Sequence, residues 1–361
     1  MQITDMSVNV VDVGQGFSWG GRMAMEVIGI FVAIETEAGL EGHALAWTAE
    51  LPAAATARAI ELAIKPHVLG ANLFDRPRIL SPAWRGFRVG LPLAAIGVVD
   101  VALWDLAGKA TGVSISELLG RQRDRIKACA SAPPCDSATA CDAMVDELVA
   151  DGFKAVKLHA CGDVRIDVAA CHAARKTVGD DVELMMDAMA IYTRSEALIL
   201  ARALDDLGFR WFEDPLPDDD LDGWIELRSR IETPLAGVDG VRFTVRDYAR
   251  PAADGAFDIL RMDAARHGIS QLQALGELAD SLGLGCEGHA FGPALGQAAN
   301  LQVGLAASST RYCELPVPLG ALDLGVERGL ELDTEGFVVA PTGPGLGLAV
   351  DREAIAAATL H

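Results

Sequence analysis

The chain has 361 residues, of which 51% are hydrophobic and 22% charged, and its formal charge is −21. That length exceeds the usual size of a single hydrophobic core, and the composition is that of a folded enzyme rather than a disordered chain. So large a negative surplus repels nucleic acid and anionic lipid surfaces, which excludes both as expected partners.

The opening, MQITDMSVNVVDVG, lacks the basic stretch and apolar core of a secretion signal. No apolar run reaches the roughly 20 residues needed to cross a bilayer, so the expected compartment is the cytoplasm. ITDMSVNVVDV alternates, and EVIGIFVAIETEAG and LEGHALAW are β-rich runs around the turn signal Glu37-Ala38-Gly39. This pattern predicts an N-terminal meander. Residues 93–109 carry Ile96, Val99, Leu103 and Leu106 at helical spacing and end at Gly108 and Gly112. Residues 1–124 therefore read as an α+β domain without a barrel rhythm.

From Arg125 the pattern changes to repeated strand–loop–helix units, with strands near IKACAS, FKAVKLH, ELMMDA, RWFED, PLAGVD, FDILRMD, GLGCEGH and RYCEL. Amphipathic segments such as SEALILARALDDLG lie between them, with glycines as C-caps. Eight strands with intervening helices predict a parallel α/β barrel over residues 125–315. An open doubly wound sheet would need a GxGxxG phosphate turn, which is missing. The tail, residues 316–361, leaves the repeat and is expected to pack on the N-terminal domain. Seven cysteines without CxxC spacing argue against a disulfide framework or a zinc site.

Polar residues close these apolar runs at a step of about 25 residues, the length of one strand–helix unit, and barrel catalytic groups sit at the C-terminal strand ends. Asp187, Glu213 and Asp239 end consecutive strands. Carboxylates converging there need a hard cation, and an all-oxygen set favours Mg²⁺. Lys157 and His159 lie two apart on one strand, so both face the barrel interior. Asp263 and His289 close the sixth and seventh strands, and an aspartate beside a histidine orients it for acid–base work. Glu314, on the last strand, reads as a more distant carboxyl or as a proton donor held neutral by its surroundings.

This set resembles the mandelate racemase subgroup of the enolase superfamily over nearly the whole chain. VVDVALWDLAGKATG resembles the helix joining capping domain to barrel, WFEDPL the fourth-strand metal segment, LAGVDG the fifth and FDILRMDAARHGI the sixth. The resemblance implies a modified TIM barrel, (β/α)7β, under an N-terminal α+β capping domain. It also implies Mg²⁺ on Asp187, Glu213 and Asp239, a His289–Asp263 dyad on one substrate face, a base from the second strand on the other, and Glu314 on the substrate carboxylate.

Three positions depart from the family pattern. Lys157-Leu158-His159 stands where Lys-x-Lys is usual, which makes His159 the second-strand base and leaves Lys157 as the cationic partner of the carboxylate. Asp239 stands where glutamate is commoner. His267-Gly268 replaces a glycine pair and adds an imidazole near the mouth.

The expected reaction is removal of the proton α to a carboxylate, leading to dehydration of a sugar acid to a 2-keto-3-deoxy acid. Racemisation or epimerisation of a 2-hydroxy acid and lactone cycloisomerisation are the alternatives, and a non-catalytic metal- and acid-binding barrel is the remote one. The partner is thus a small carboxylic acid. Ser18, Trp19 and Arg22 of the capping segment are candidates to contact it, together with His267. An apolar barrel exterior predicts a homo-oligomer.

Overall fold

The computed structural model describes residues 1–14, 27–47, 52–238 and 244–360. Ser18, Trp19, Arg22 and Asp239 lie outside the described residues.

Three antiparallel strands, β1 (Ile3–Asp12), β2 (Ile28–Thr36) and β3 (Glu41–Trp47), form a sheet in the order β1-β2-β3. The middle strand, IGIFVAIET, is apolar and buried almost throughout because neighbours cover both of its edges and both of its faces are packed. β3 packs on the helix Leu93–Thr111, and Gly42 is where they meet: a Cβ there would lie 2.3 Å from the carbonyl oxygen of Ala102. That helix is buried from Leu93 to Gly108 and ends at Gly112, whose φ of +73° makes it a left-handed cap.

Eight parallel strands follow: β4 (Arg125–Ser131), β5 (Ala155–His159), β6 (Glu183–Asp187), β7 (Phe212–Glu213), β8 (Leu235–Gly237), β9 (Ile259–Met262), β10 (Gly285–Gly288) and β11 (Tyr312–Pro316). Each coincides with a run predicted from the sequence. They are ordered β10-β9-β8-β7-β6-β5-β4-β11. The seam between β10 and β11 is joined by side chains as well as backbone. Cys286 N–H donates to the Ser309 carbonyl, and the Glu287 carboxyl group accepts from the N–H groups of Arg311 and Tyr312 at 3.0 and 3.1 Å. A side-chain carboxyl thus replaces the ladder carbonyls that these backbone donors would otherwise need.

Inside the barrel Cys129, Ala155, Met185, Trp211, Ala236 and Tyr312 pack in one cluster. The two alanines leave room for Trp211 and Tyr312, which meet edge to face at 5.4 Å. This apolar layer is the floor beneath the polar groups at the strand ends.

The tail, expected to pack on the N-terminal domain, touches both parts of the chain. β12 (Phe337–Val339) pairs antiparallel with Arg125–Lys127 of β4. β4 joins β5 only through Ala130 and Ser131, so its lower half offers an open edge, which β12 covers. The final helix, Arg352–Ala358, does return to the N-terminal sheet, where Leu360 N–H donates to the Val10 carbonyl at 2.8 Å. Among the described residues no helix is long and apolar enough to cross a membrane.

Candidate active site

The strand ends hold a dense set of charges. Lys157 on β5 is fully buried, and its Nζ lies 3.2 Å from Asp187 Oδ2, 3.1 Å from both oxygens of Glu213 and 2.9 Å from Glu314 Oε1. Asp187 and Glu213 are register partners on β6 and β7, so adjacent pleats aim both carboxylates at one point. Arg261 on β9 is 1% exposed and completes the cluster. Its Nε donates to Glu213 Oε1 at 3.0 Å and its Nη2 to Glu314 Oε2. Trp211 Nε1 supplies a further donor to Glu213 Oε2 at 3.1 Å.

These contacts set the protonation of the group. Burial opposes charge on Asp187, yet Lys157 and His159 hold its carboxyl well below the usual carboxylate range. Glu314 behaves alike: burial is outweighed by Lys157 and Arg261, which keep it ionised. A neutral proton donor, one of the two roles read for Glu314 from the sequence, is therefore incompatible with its setting between two cations. Burial and the neighbouring Asp187 and Glu314 raise Glu213, against the pull of Arg261 and Lys157. Burial disfavours the Lys157 ammonium, but Glu213, Glu314 and Asp187 more than compensate, and its affinity for the proton rises.

His159 is also on β5, two residues beyond Lys157. Its Nδ1 donates to the Ala132 carbonyl at 2.6 Å, and its Nε2 stands 3.2 Å from Asp187 Oδ2. Asp263 and His289 follow β9 and β10 and meet at 3.3 Å, Oδ2 to Nδ1. β9 lies four places from β5 in either direction around the ring. Asp263 caps the short helix Ala264–His267 through Ala265 N–H and accepts from Asn300 Nδ2 at 2.9 Å. Burial opposes its charge, while His289, Arg266 and Asn300 hold its pKa below the ordinary value. Gly97 lets the helix Leu93–Thr111 lie directly on this segment, since a Cβ there would come within 2.1 Å of the Arg266 carbonyl oxygen.

The structure thus brings together Lys157, His159, Asp187, Glu213, Asp263, His289 and Glu314. His267 does not reach the mouth as expected: it is 1% exposed, and its Nδ1 pairs with the Asp263 backbone carbonyl at 3.0 Å. It sits at the end of a helical turn packed against the helix Leu93–Thr111, where a Cβ at Gly97 would lie 2.8 Å from the His267 backbone nitrogen. Sequence reasoning missed Arg261, Arg266 and Asn300. Arg261 was findable, because it lies on β9 two residues before Asp263, where alternation along the predicted strand gives the two a common face.

The donor set fits a hard divalent cation in chemistry and charge. Asp187 and Glu213 already converge on a positive charge, the Lys157 ammonium, and both offer oxygen only. Among the described residues no group of three His, Cys, Asp or Glu side chains is arranged to hold a metal, and Asp239, the expected third ligand, lies outside them.

The fold and the strand-end residues define an α/β-barrel enzyme with an N-terminal capping domain. Residues 10–120 match the mandelate racemase/muconate lactonizing enzyme N-terminal domain, and residues 140–354 match the enolase C-terminal domain-like family. The chain belongs to the mandelate racemase/muconate lactonizing enzyme family of the enolase superfamily. It is 30% identical over 344 residues to the D-galactarolactone cycloisomerase of Agrobacterium fabrum, covering 90% of each chain. It is also 30% identical over 303 residues to the arabinonate dehydratase of Saccharolobus solfataricus, covering 81% of this chain and 80% of the relative. Among solved structures, D-glucarate dehydratase from Agrobacterium tumefaciens complexed with magnesium superposes with a TM-score of 0.89 at 30% identity, covering 100% of both chains.

Proposed function

We propose that this protein removes the proton α to the carboxylate of a sugar acid and eliminates the β-hydroxyl as water, giving a 2-keto-3-deoxy acid. One observation carries this reading: His159 and the Asp263–His289 pair come from opposite arcs of the strand ring and flank a buried cluster of Lys157, Asp187, Glu213 and Glu314. Two imidazoles on two sides of one charged cluster suit a reaction that needs proton transfers on both faces of a carbon.

Asp187 and Glu213, with Asp239, would hold Mg²⁺, which when bound stabilises negative charge developing on the substrate carboxylate. Lys157 supplies the fixed positive charge beside that carboxylate. Arg261 and Trp211 keep Glu213 in place from below. Glu314, ionised between Lys157 and Arg261, accepts hydrogen bonds rather than donating them, which suits the hydroxyl of a polyol acid. A general base contributes about 10²–10⁴-fold, so preorganised charge must supply the larger share of the rate.

Cycloisomerisation of a sugar-acid lactone is the second reading. It is favoured by the relative of that activity, which matches 90% of this chain, and it uses the same α-proton chemistry without loss of water. The test is ¹H NMR of a panel of sugar acids and their lactones in D₂O with Mg²⁺. A keto-deoxy acid formed from an open-chain acid with loss of water supports dehydration, an isomeric keto-deoxy acid formed from a lactone by cleavage of its ring C–O bond supports the cycloisomerase, and an unreacted panel without α-deuterium exchange rejects both.

A further inference from the structure

A group of thiols lies behind His159. The segment Ala132-Pro133-Pro134-Cys135 leaves β4 and leads into the helix Ala138–Ala150, whose N-cap Ser137 accepts from Ala140 N–H at 3.2 Å. Cys141 and Met144 stand three residues apart on that helix and so share the face turned to the incoming segment. The Cys135 sulfur lies 3.8 Å from the Met144 sulfur, and its thiol interacts directly with that of Cys141. Cys135, Cys141 and Cys171 border one small cavity of about 10 Å³, and His159 forms another part of its wall. The segment that carries Cys135 begins with the carbonyl that holds His159, since Ala132 accepts from Nδ1 at 2.6 Å. Between the two, Pro133 and Pro134 have fixed φ and stiffen the link.

The two thiols are not equivalent. Hydrogen bonding from Cys141 lowers the proton affinity of Cys135, against burial and the charges of Asp136 and Asp167, whereas the same contact and burial raise that of Cys141. Cys135 is also the more accessible, 8% exposed against 1%. A more acidic thiol beside a second, resolving thiol is the arrangement from which peroxide makes a disulfide.

We propose that Cys135 and Cys141 form a reversible disulfide on exposure to hydrogen peroxide, and that this bond alters the setting of His159. The Cys135 thiolate attacks peroxide: an S–O bond forms, the O–O bond breaks, and hydroxide leaves to take up the thiol proton as water. The Cys141 sulfur then attacks the resulting sulfenic acid, an S–S bond forms, the S–O bond breaks, and the oxygen leaves with the Cys141 proton as a second water. Two thiols are oxidised and one peroxide is reduced. Bonding draws the sulfurs together from van der Waals contact. The cavity beside them gives room for that movement, and the proline link passes it to the Ala132 carbonyl. The effect on turnover rests on the reading under Proposed function, in which His159 is one of the two proton carriers.

The test needs no substrate. The full chain is treated with peroxide, unfolded and labelled with N-ethylmaleimide, and its mass is measured. Oxidised wild type should take two fewer labels than the reduced chain, which has seven cysteines, and fragmentation of the tryptic peptide over residues 128–154 should place the bond between Cys135 and Cys141. Dithiothreitol should restore both labels, and neither Cys135→Ser nor Cys141→Ser should form the bond. In two-bond ¹H–¹⁵N spectra, the His159 signals, assigned by their loss in His159→Asn, should shift on oxidation of wild type and stay in place in peroxide-treated Cys135→Ser. Full labelling after peroxide, a bond to Cys129 or Cys171 instead, or sulfinic acid without a disulfide would overturn the proposal. A disulfide that leaves the His159 signals unmoved overturns the link to the site. Should a serine variant not fold, the wild-type fragment map and spectrum decide alone. An inert panel of sugar acids would reject the proposed reaction without altering these results.

Discussion

Lys157 and Arg261 stand on strands four places apart in the ring, β5 and β9, and bind the same two carboxylates, Glu213 and Glu314. The two cations and two anions form a brace across the barrel interior. Each carboxylate is held from two sides, so neither can turn without leaving a buried charge unmet.

Arg261→Met removes half of that brace and leaves Glu213 and Glu314 sharing one ammonium. Loss of one partner from a buried ionic set costs about 3–5 kcal/mol, and a urea melt should show a loss in that range. Adding Glu314→Gln to Arg261→Met should recover part of it. No recovery in the double variant would mean that the guanidinium acts through packing instead.

Asp187→Asn and Glu213→Gln should each abolish stabilisation by divalent cation. A ligand that binds only the folded state at about 100 times its Kd adds about 2.7 kcal/mol, so Mg²⁺ should raise the wild-type Tm and EDTA reverse it. Calorimetric melts with and without Mg²⁺ measure this. An equal Tm rise in either variant would remove that carboxylate from the ligand set.

His159→Asn and His289→Asn are expected to lower turnover by about 10²–10⁴-fold each, the usual contribution of a positioned acid or base. Mg²⁺ binding by titration calorimetry should stay within the wild-type range, since neither imidazole is an expected ligand. Wild-type turnover in either variant contradicts the two-face assignment.

Glu287 predicts a pH dependence of stability from the β10–β11 seam. Burial pushes its carboxyl up to about 8, only partly offset by the N–H groups of Tyr312 and Arg311 and by Arg261. The folded state therefore binds this proton more tightly than the unfolded chain, whose ordinary value is 4.5. Stability is full below the unfolded value and falls as pH rises towards 8, with a slope of at most about 1.4 kcal/mol per pH unit. Calorimetry of wild type and Glu287→Gln between those limits should show a flatter profile for the variant. Parallel profiles would mean that Glu287 is ionised in the folded protein throughout.

Much of this architecture is legible in the linear chain because strand ends in a barrel recur at nearly constant chain length. The spacing of Asp187, Glu213, Asp263, His289 and Glu314 already implies a common rim, and Lys157 and His159 share a face by simple alternation. The expected helix over residues 93–109 matches Leu93–Thr111 because apolar period and terminal glycine agree. Other features resist such reading. His267 looks like a mouth residue until the capping helix is seen lying on it. Glu314 looks like a possible acid until Lys157 and Arg261 are seen on either side. Asn300 lies 37 residues beyond Asp263 on a buried helix, and nothing in its neighbourhood marks it as the donor to that carboxylate.

Local chemistry, strand period and repeat length were thus enough to specify the barrel and to place several candidate residues at its strand ends, since each depends on near neighbours along the chain. The charge state of those residues came from the folded packing alone. Whether a carboxyl is ionised, or which nitrogen of an imidazole holds a proton, depends on partners from distant strands within about 3 Å, where electrostatic energies change steeply with separation.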